Sequence, residues 1–177
     1  MGRTGRAMKY KTILADPPWK EDGGSRGAQH HYPLMRTTEI IALKKMVDDI
    51  ADVDCHLYLW VTNRFLEDGL RVIKEWGFRY IQLLIWIKPS IGIGQYFRGA
   101  SEPCLFAARG KALFKNRDNG IGISDTPTIF YARKSGHSKK PQMFYSIIEK
   151  VSFPPFMELF ARQRREGWDA WGNEIEQ

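Results

Sequence analysis

The chain has 177 residues, 43% hydrophobic and 13% aromatic, enough for one globular domain with a substantial core and too few for a second folded domain. No window approaches the roughly 18 apolar residues of a membrane span, and no signal-peptide pattern opens the sequence, so a soluble cytoplasmic protein is expected. Lys and Arg outnumber Asp and Glu by 27 to 20, a formal charge of +7, which suits a polyanion partner without demanding one.

Residues 1–8 carry Arg3 and Arg6 in a Gly-rich stretch and read as a flexible arm or an expression remnant, with Met8 as an alternative start. Residues 9–177 are taken as the single domain. The first strand is predicted over Lys11–Ala15 and runs directly into Asp16-Pro17-Pro18-Trp19. A Gly-rich polar stretch, 20–31, precedes a helix over Thr38–Ala51 whose Ile40, Leu43, Val47 and Ile50 share one face. The alternating run Cys55–Thr62 predicts a strand, and Leu66, Leu70 and Ile73 mark a helix ending at Gly77.

Tyr80–Lys88 is a near-continuous apolar strand, as expected of one buried on both faces, and Pro89 ends it. The stretch 90–101, with Tyr96, Phe97 and Arg98 among glycines, reads as a mobile loop. Strands are predicted over Pro103–Ala108, Ala112–Phe114 and Thr128–Ala132, with a polar, Gly-rich excursion over 116–124. Pro141 opens a helix with Phe144, Ile147, Ile148 and Val151 on its apolar face. Phe156–Ala161 is the last core strand, and Gly167–Asn173 suggests a return turn and a final edge strand. Strands alternating with helices predict an α/β domain with a mainly parallel sheet covered on both faces. The two cysteines, Cys55 and Cys104, lie inside apolar runs and are expected as buried free thiols. His30, His31, His56 and His137 show no metal-ligand spacing with them.

The chemistry concentrates at strand exits. Each proline after Asp16 locks φ near −65° and removes an N–H, so the turn is stiff. The Asp16 carboxylate and the Pro17 carbonyl are acceptors beside the flat face of Trp19, a set suited to a planar amino group with two donors. The competing reading is a capped helix start with Trp19 in the core. Two basic clusters, Arg133–Lys140 and Arg162–Arg165, follow later strand ends, and in an open parallel sheet such ends converge on the ligand.

Taken in order, Asp16-Pro17-Pro18-Trp19, His31-Tyr32-Pro33-Leu34-Met35, Leu59-Trp60-Val61-Thr62-Asn63, Trp86-Ile87-Lys88-Pro89 and Glu158-Leu159-Phe160-Ala161-Arg162 resemble the MT-A70 family of adenine-N6 methyltransferases, over about Lys9 to Asn173. The short bacterial and phage members are the most similar in outline. The resemblance implies a Rossmann-like methyltransferase fold in permuted order, the catalytic strand early and the cofactor segment late. It also implies S-adenosylmethionine as methyl donor, with no metal. By the same resemblance Asp16, Pro17, Pro18 and Trp19 are catalytic, Lys140 meets the carboxylate end of the cofactor, Arg162 and Arg164 lie near its ribose, and Asn173 faces it. The segment Phe160–Arg164 lacks the glycines of many methyltransferases, so side chains must replace some backbone contacts.

Tyr32, Arg36, Tyr96, Phe97 and Arg98 are the candidates for holding nucleic acid, since aromatics beside cations suit splayed bases and phosphates. Glu102 and His137 are expected to be structural. The amine of a paired, stacked base is inaccessible in line, so the substrate is single-stranded or flipped out. DNA is preferred because the short chain lacks the RNA-binding extensions expected of messenger-RNA enzymes. RNA, a cytosine-N4 substrate and a non-catalytic partner subunit stay open as alternatives, as does a homodimer.

Overall fold

The computed structural model describes residues 8–20, 33–92, 96–115, 125–133, 139–172 and 175. Its element order is β1 (Tyr10–Ala15), α1 (Thr37–Ala42), α2 (Lys44–Ile50), β2 (Ala51–Trp60), α3 (Leu66–Glu75), β3 (Arg79–Ile87), β4 (Ser101–Arg109), β5 (Ile129–Tyr131), α4 (Gln142–Val151), β6 (Phe156–Leu159) and β7 (Trp168–Trp171). The strands form one seven-stranded sheet in the order β5-β3-β4-β2-β1-β6-β7.

Every neighbouring pair is parallel except the two that involve β4. β4 runs against both neighbours because it follows β3 through a hairpin, with the Lys88 N–H donating to Ala100 O at 2.8 Å and the Gly92 N–H to Gly99 O at 2.6 Å. The result is a mostly parallel α/β sheet with the Rossmann-like architecture expected from the sequence. All strands but β4 therefore exit at one edge, where β4 begins.

Alternation along β2 sorts its side chains between two cores, since successive residues of a strand point to opposite faces. Leu57 and Leu59, joined by Val61 just beyond the strand, pack with Ile13 and Leu105 against Ile40, Val47, Val72, Ile73 and Trp76 of the α1–α3 side. Tyr58 and Trp60 point the other way and join Leu14, Trp86, Cys104 and Phe130 against Phe144, Tyr145 and Ile148 of α4. Gly69 lets α3 lie close on the sheet: a Cβ there would sit 2.5 Å from Val61 Cγ1 and 2.8 Å from Leu105 Cδ1. Cys55 and Cys104 are buried free thiols.

Several boundaries differ from expectation. The single helix predicted over Thr38–Ala51 is two helices broken at Leu43 (φ −71°, ψ 0°), and Ala51 already belongs to β2. The run Ala112–Phe114 is not a strand; the chain there turns toward the end of α4, with the Lys115 N–H donating to Val151 O at 2.7 Å. The final edge strand is present. β7 pairs parallel to β6, Phe156 opposite Trp168 through Leu159 opposite Trp171.

A buried polar cluster stands apart from the sheet edge. His56 Nδ1 and the Tyr58 hydroxyl each meet Ser152 Oγ at 2.8 Å. Burial drives the His56 pKa down to about 4, so the imidazole is neutral in the fold. Among the described residues no helix is long and apolar enough to cross a membrane.

Candidate active site

The Asp-Pro-Pro-Trp turn leaves the carboxyl end of β1 at the centre of the exit edge. The Asp16 N–H extends the ladder toward Leu159 O at 3.4 Å, and the Trp19 N–H closes a tight turn on Pro17 O at 2.9 Å. That bond occupies one lone pair of the Pro17 carbonyl and leaves the second. The turn is then clasped from outside: Met35 N–H donates to Pro18 O at 2.7 Å and Lys20 N–H to Met35 O at 2.9 Å, a bridge that pairs Trp19 with Met35.

Trp19 is braced on three sides. Its indole N–H donates to Trp60 O at 3.0 Å, its ring stacks on Phe65 with centroids 5.3 Å apart, and it packs on the α1–α3 core. Phe65 covers one face of the ring, and the geometry gives Trp19 the work of a strut that fixes the turn after Asp16.

Lys140 is the charge partner of Asp16. Its ammonium, at the end of a side chain only 11% exposed, reaches both Asp16 carboxylate oxygens at 2.8 and 2.9 Å and Glu102 Oε1 at 2.8 Å, and lies 5.1 Å over the Trp60 ring. Burial alone would push its pKa down, but the charges and hydrogen bonds of Asp16 and Glu102 outweigh that and hold it above the usual lysine value. Glu102 in turn receives Lys88 Nζ on Oε2 at 2.7 Å. Burial opposes its charge, yet the two lysines hold its carboxyl below the usual glutamate value. Sequence reasoning assigned Glu102 a structural place and passed over Lys88; nothing in their local pattern signals that both face the Asp16 pocket.

Glu158 is a second residue that the sequence reading left without a role. It lies opposite Leu14 in the β1–β6 register and accepts the Tyr145 hydroxyl at 2.8 Å. Burial, then the nearby Asp16 charge, raise its pKa despite the Tyr145 bond and the influence of Arg165 and Lys140. The Arg165 guanidinium stacks 3.6 Å from the Tyr145 ring centroid and donates to Gln142 Oε1 at 2.5 Å.

Two of the cofactor candidates, Arg162 and Arg164, follow the next exit. After β6, Phe160 takes a left-handed backbone (φ 62°), Ala161 N–H donates to Trp171 O at 3.0 Å, and Arg162 and Arg164 follow. Gly172 closes against this turn so tightly that a Cβ would meet Ala161 O at 2.3 Å. The donor set suits S-adenosylmethionine: Lys140 would meet its carboxylate, and the Glu158 carboxylate would face a cationic group. Asn173 and Tyr32 lie outside the described residues, as does His137.

Of the remaining candidates, Arg36 is bound locally to Glu39, with Nη2 at 3.1 Å from Oε1. Tyr96 and Phe97 stand at the hairpin tip, 97% and 86% exposed, while Arg98 Nε donates to Gly92 O at 2.8 Å and stiffens the arm beneath them.

An acceptor-lined turn at the carboxyl ends of parallel strands is where open α/β enzymes hold nucleotide-like ligands. The MT-A70 profile matches residues 10–174, and the chain belongs to that methyltransferase family, whose members use S-adenosylmethionine. Similar proteins include the type II methyltransferase M.MunI of Mycoplasma, 29% identical over 94% of this chain and 78% of that protein. The human N(6)-adenine-specific methyltransferase METTL4 is 28% identical over 94% of the chain and 37% of its own length. The human N(6)-adenosine-methyltransferase catalytic subunit METTL3 is 25% identical over 95% of the chain and 28% of its own length. The chain thus spans well under half of either human protein.

Proposed function

We propose that this chain transfers a methyl group from S-adenosylmethionine to the exocyclic N6 of an adenine in DNA, taken single-stranded or flipped out. The observation that carries the reading is the intact Asp16-Pro17-Pro18-Trp19 turn, braced by Trp19 and neutralised by Lys140 at the sheet exit. Its support among relatives is the N6-adenine and N6-adenosine activity named for METTL4 and METTL3. The DNA assignment leans on the Mycoplasma type II methyltransferase, most of whose length this chain spans.

Bound S-adenosylmethionine supplies an electrophilic methyl on a sulfonium, whose C–S bond breaks toward sulfur as the new N–C bond forms. The residues of the chain prepare the other reactant. The Asp16 carboxylate and the second lone pair of Pro17 O accept the two N–H groups of the amine and turn its lone pair out of ring conjugation. Positive charge then grows on nitrogen, and Asp16, fixed beforehand by the Pro-Pro turn, stabilises it without reorganising. The surplus proton of the methylated nitrogen leaves along the Asp16 contact to water. Lys140, Arg162, Arg164 and Asn173 hold the cofactor, Lys140 by its carboxylate. Tyr96, Phe97, Arg98, Tyr32 and Arg36 hold the strand on either side of the target base.

Parallel assays with labelled S-adenosylmethionine on single- and double-stranded DNA and on RNA of the same sequence test this, with nucleoside mass spectrometry of the product. N6-methyladenine in DNA is expected. Turnover confined to RNA overturns the DNA assignment, and N4-methylcytosine overturns the choice of base. The absence of transfer from a protein that binds the cofactor favours a partner subunit.

A further inference from the structure

We infer that Glu102 and Lys88 are positioning residues for this reaction, setting through Lys140 the charge that Asp16 presents to the amino group. The inference rests on Asp16 being the amine acceptor. Four charges of alternating sign run in series: Lys88 to Glu102 at 2.7 Å, Glu102 to Lys140 at 2.8 Å, and Lys140 to Asp16 at 2.8 and 2.9 Å. Their side chains are 21%, 17%, 11% and 21% exposed, in that order, so solvent screens them weakly. Lys88 lies 4.7 Å over the Trp86 ring and Lys140 5.1 Å over Trp60, two indoles that pack edge to face at 6.3 Å. Both ammonium groups thus rest on one aromatic floor.

The arrangement solves a problem that Lys140 creates. An ammonium bonded to both oxygens of Asp16 draws off the negative charge that a developing cation on N6 requires. Glu102 divides that ammonium between two carboxylates, and Lys88 holds Glu102 ionised and in place. Packing alone would not select four buried charges, since apolar replacements of similar volume are often as stable. The outer pair also sits at the root of the β3–β4 hairpin, where Trp86 is registered with Glu102. The arm that presents Tyr96 and Phe97 is therefore tied ionically to the reacting carboxylate.

The test is a charge cycle with Glu102→Gln, Lys88→Met and the double variant, read by kcat and by calorimetric binding of S-adenosylhomocysteine. Removing one unit charge about 6 Å from a nitrogen that carries about half a positive charge, at an effective dielectric near 20, lowers kcat about tenfold in Glu102→Gln. The same change leaves Lys140 more available, so S-adenosylhomocysteine binds about fivefold tighter, whereas a loosened fold would weaken both. Adding Lys88→Met restores the charge balance and recovers at least about threefold in kcat. Lys88→Met alone, which shifts the relay the other way, weakens S-adenosylhomocysteine binding about fivefold. A double variant no better than Glu102→Gln overturns the relay, as does weaker binding in Glu102→Gln or unchanged or tighter binding in Lys88→Met. Because the binding arm needs no turnover, a wild-type protein that binds but never transfers methyl refutes the proposed activity while the affinities still judge the relay.

Discussion

Replacing Asp16 by Asn separates the charge of the acceptor from its shape. The amide keeps an oxygen for one N–H, and Lys140 keeps Glu102 at 2.8 Å, so the site stays assembled. At an effective dielectric near 20, a full positive charge about 3 Å from a carboxylate is stabilised by about 5 kcal/mol, and a nitrogen carrying half of that charge by about half as much. Loss of that term, together with the uncompensated charge left on Lys140, predicts a fall in kcat of about 1,000-fold. The stability cost is smaller. Stripping the sole partner from a buried charge costs about 3–5 kcal/mol, but Glu102 remains, so about 1–2 kcal/mol is expected by chemical denaturation. Single-turnover transfer of labelled methyl to a saturating oligonucleotide reads the first effect, and calorimetry with S-adenosylhomocysteine checks that binding survives. An Asp16→Asn enzyme retaining more than about a tenth of wild-type turnover would refute electrostatic stabilisation by Asp16.

Three further outcomes are expected. His56, neutral in the fold with a pKa near 4 against the ordinary 6.5, binds its proton only on unfolding as pH falls through that window; stability therefore drops by about 3 kcal/mol from pH 7 to pH 4, and His56→Gln, which keeps a group for Ser152, should flatten that part of a denaturant-versus-pH series. Gly172→Ala drives a methyl to within 2.3 Å of Ala161 O, so S-adenosylmethionine should lose most of its thermal-shift response; a full shift would show that the β6–β7 exit does not shape the cofactor pocket. Phe97→Ala, at a side chain 86% exposed, should leave the melting temperature unchanged and weaken oligonucleotide binding by about 1–3 kcal/mol, the worth of one stacked base, as fluorescence anisotropy at fixed salt would measure.

The sequence makes the entry to the site legible because its causes are local. An apolar run followed by Asp16-Pro17-Pro18 dictates a buried strand and a stiff exit whatever the rest of the chain does. The break at Leu43 was hidden because Ile40, Leu43, Val47 and Ile50 keep helical spacing straight through one residue that leaves the helix. Ala112–Phe114 shows the converse: an apolar run that leads into a bond with the end of α4, Lys115 N–H to Val151 O, is not a strand. The direction of β7 is not encoded in its periodicity, since alternation is the same for parallel and antiparallel strands. The charge relay was the least visible part. Lys140 and Asp16 are 124 residues apart in sequence, and only the sheet order brings them to Glu102.

The clasp at Trp19 and Met35 divides the chain beside the reacting carboxylate into two territories with different tolerance for change. Everything inward of the Lys20–Met35 and Met35–Pro18 bonds is fixed by the turn, the Phe65 stack and the Trp60 carbonyl. Lys20 and Met35 are thereby joined to each other across the sequence that separates them. Lengthening a closed excursion is cheap, about 0.6 kcal/mol for each doubling of its length. Insertions between Lys20 and Met35 are therefore expected to leave the Asp16-Pro17-Pro18-Trp19 turn in place.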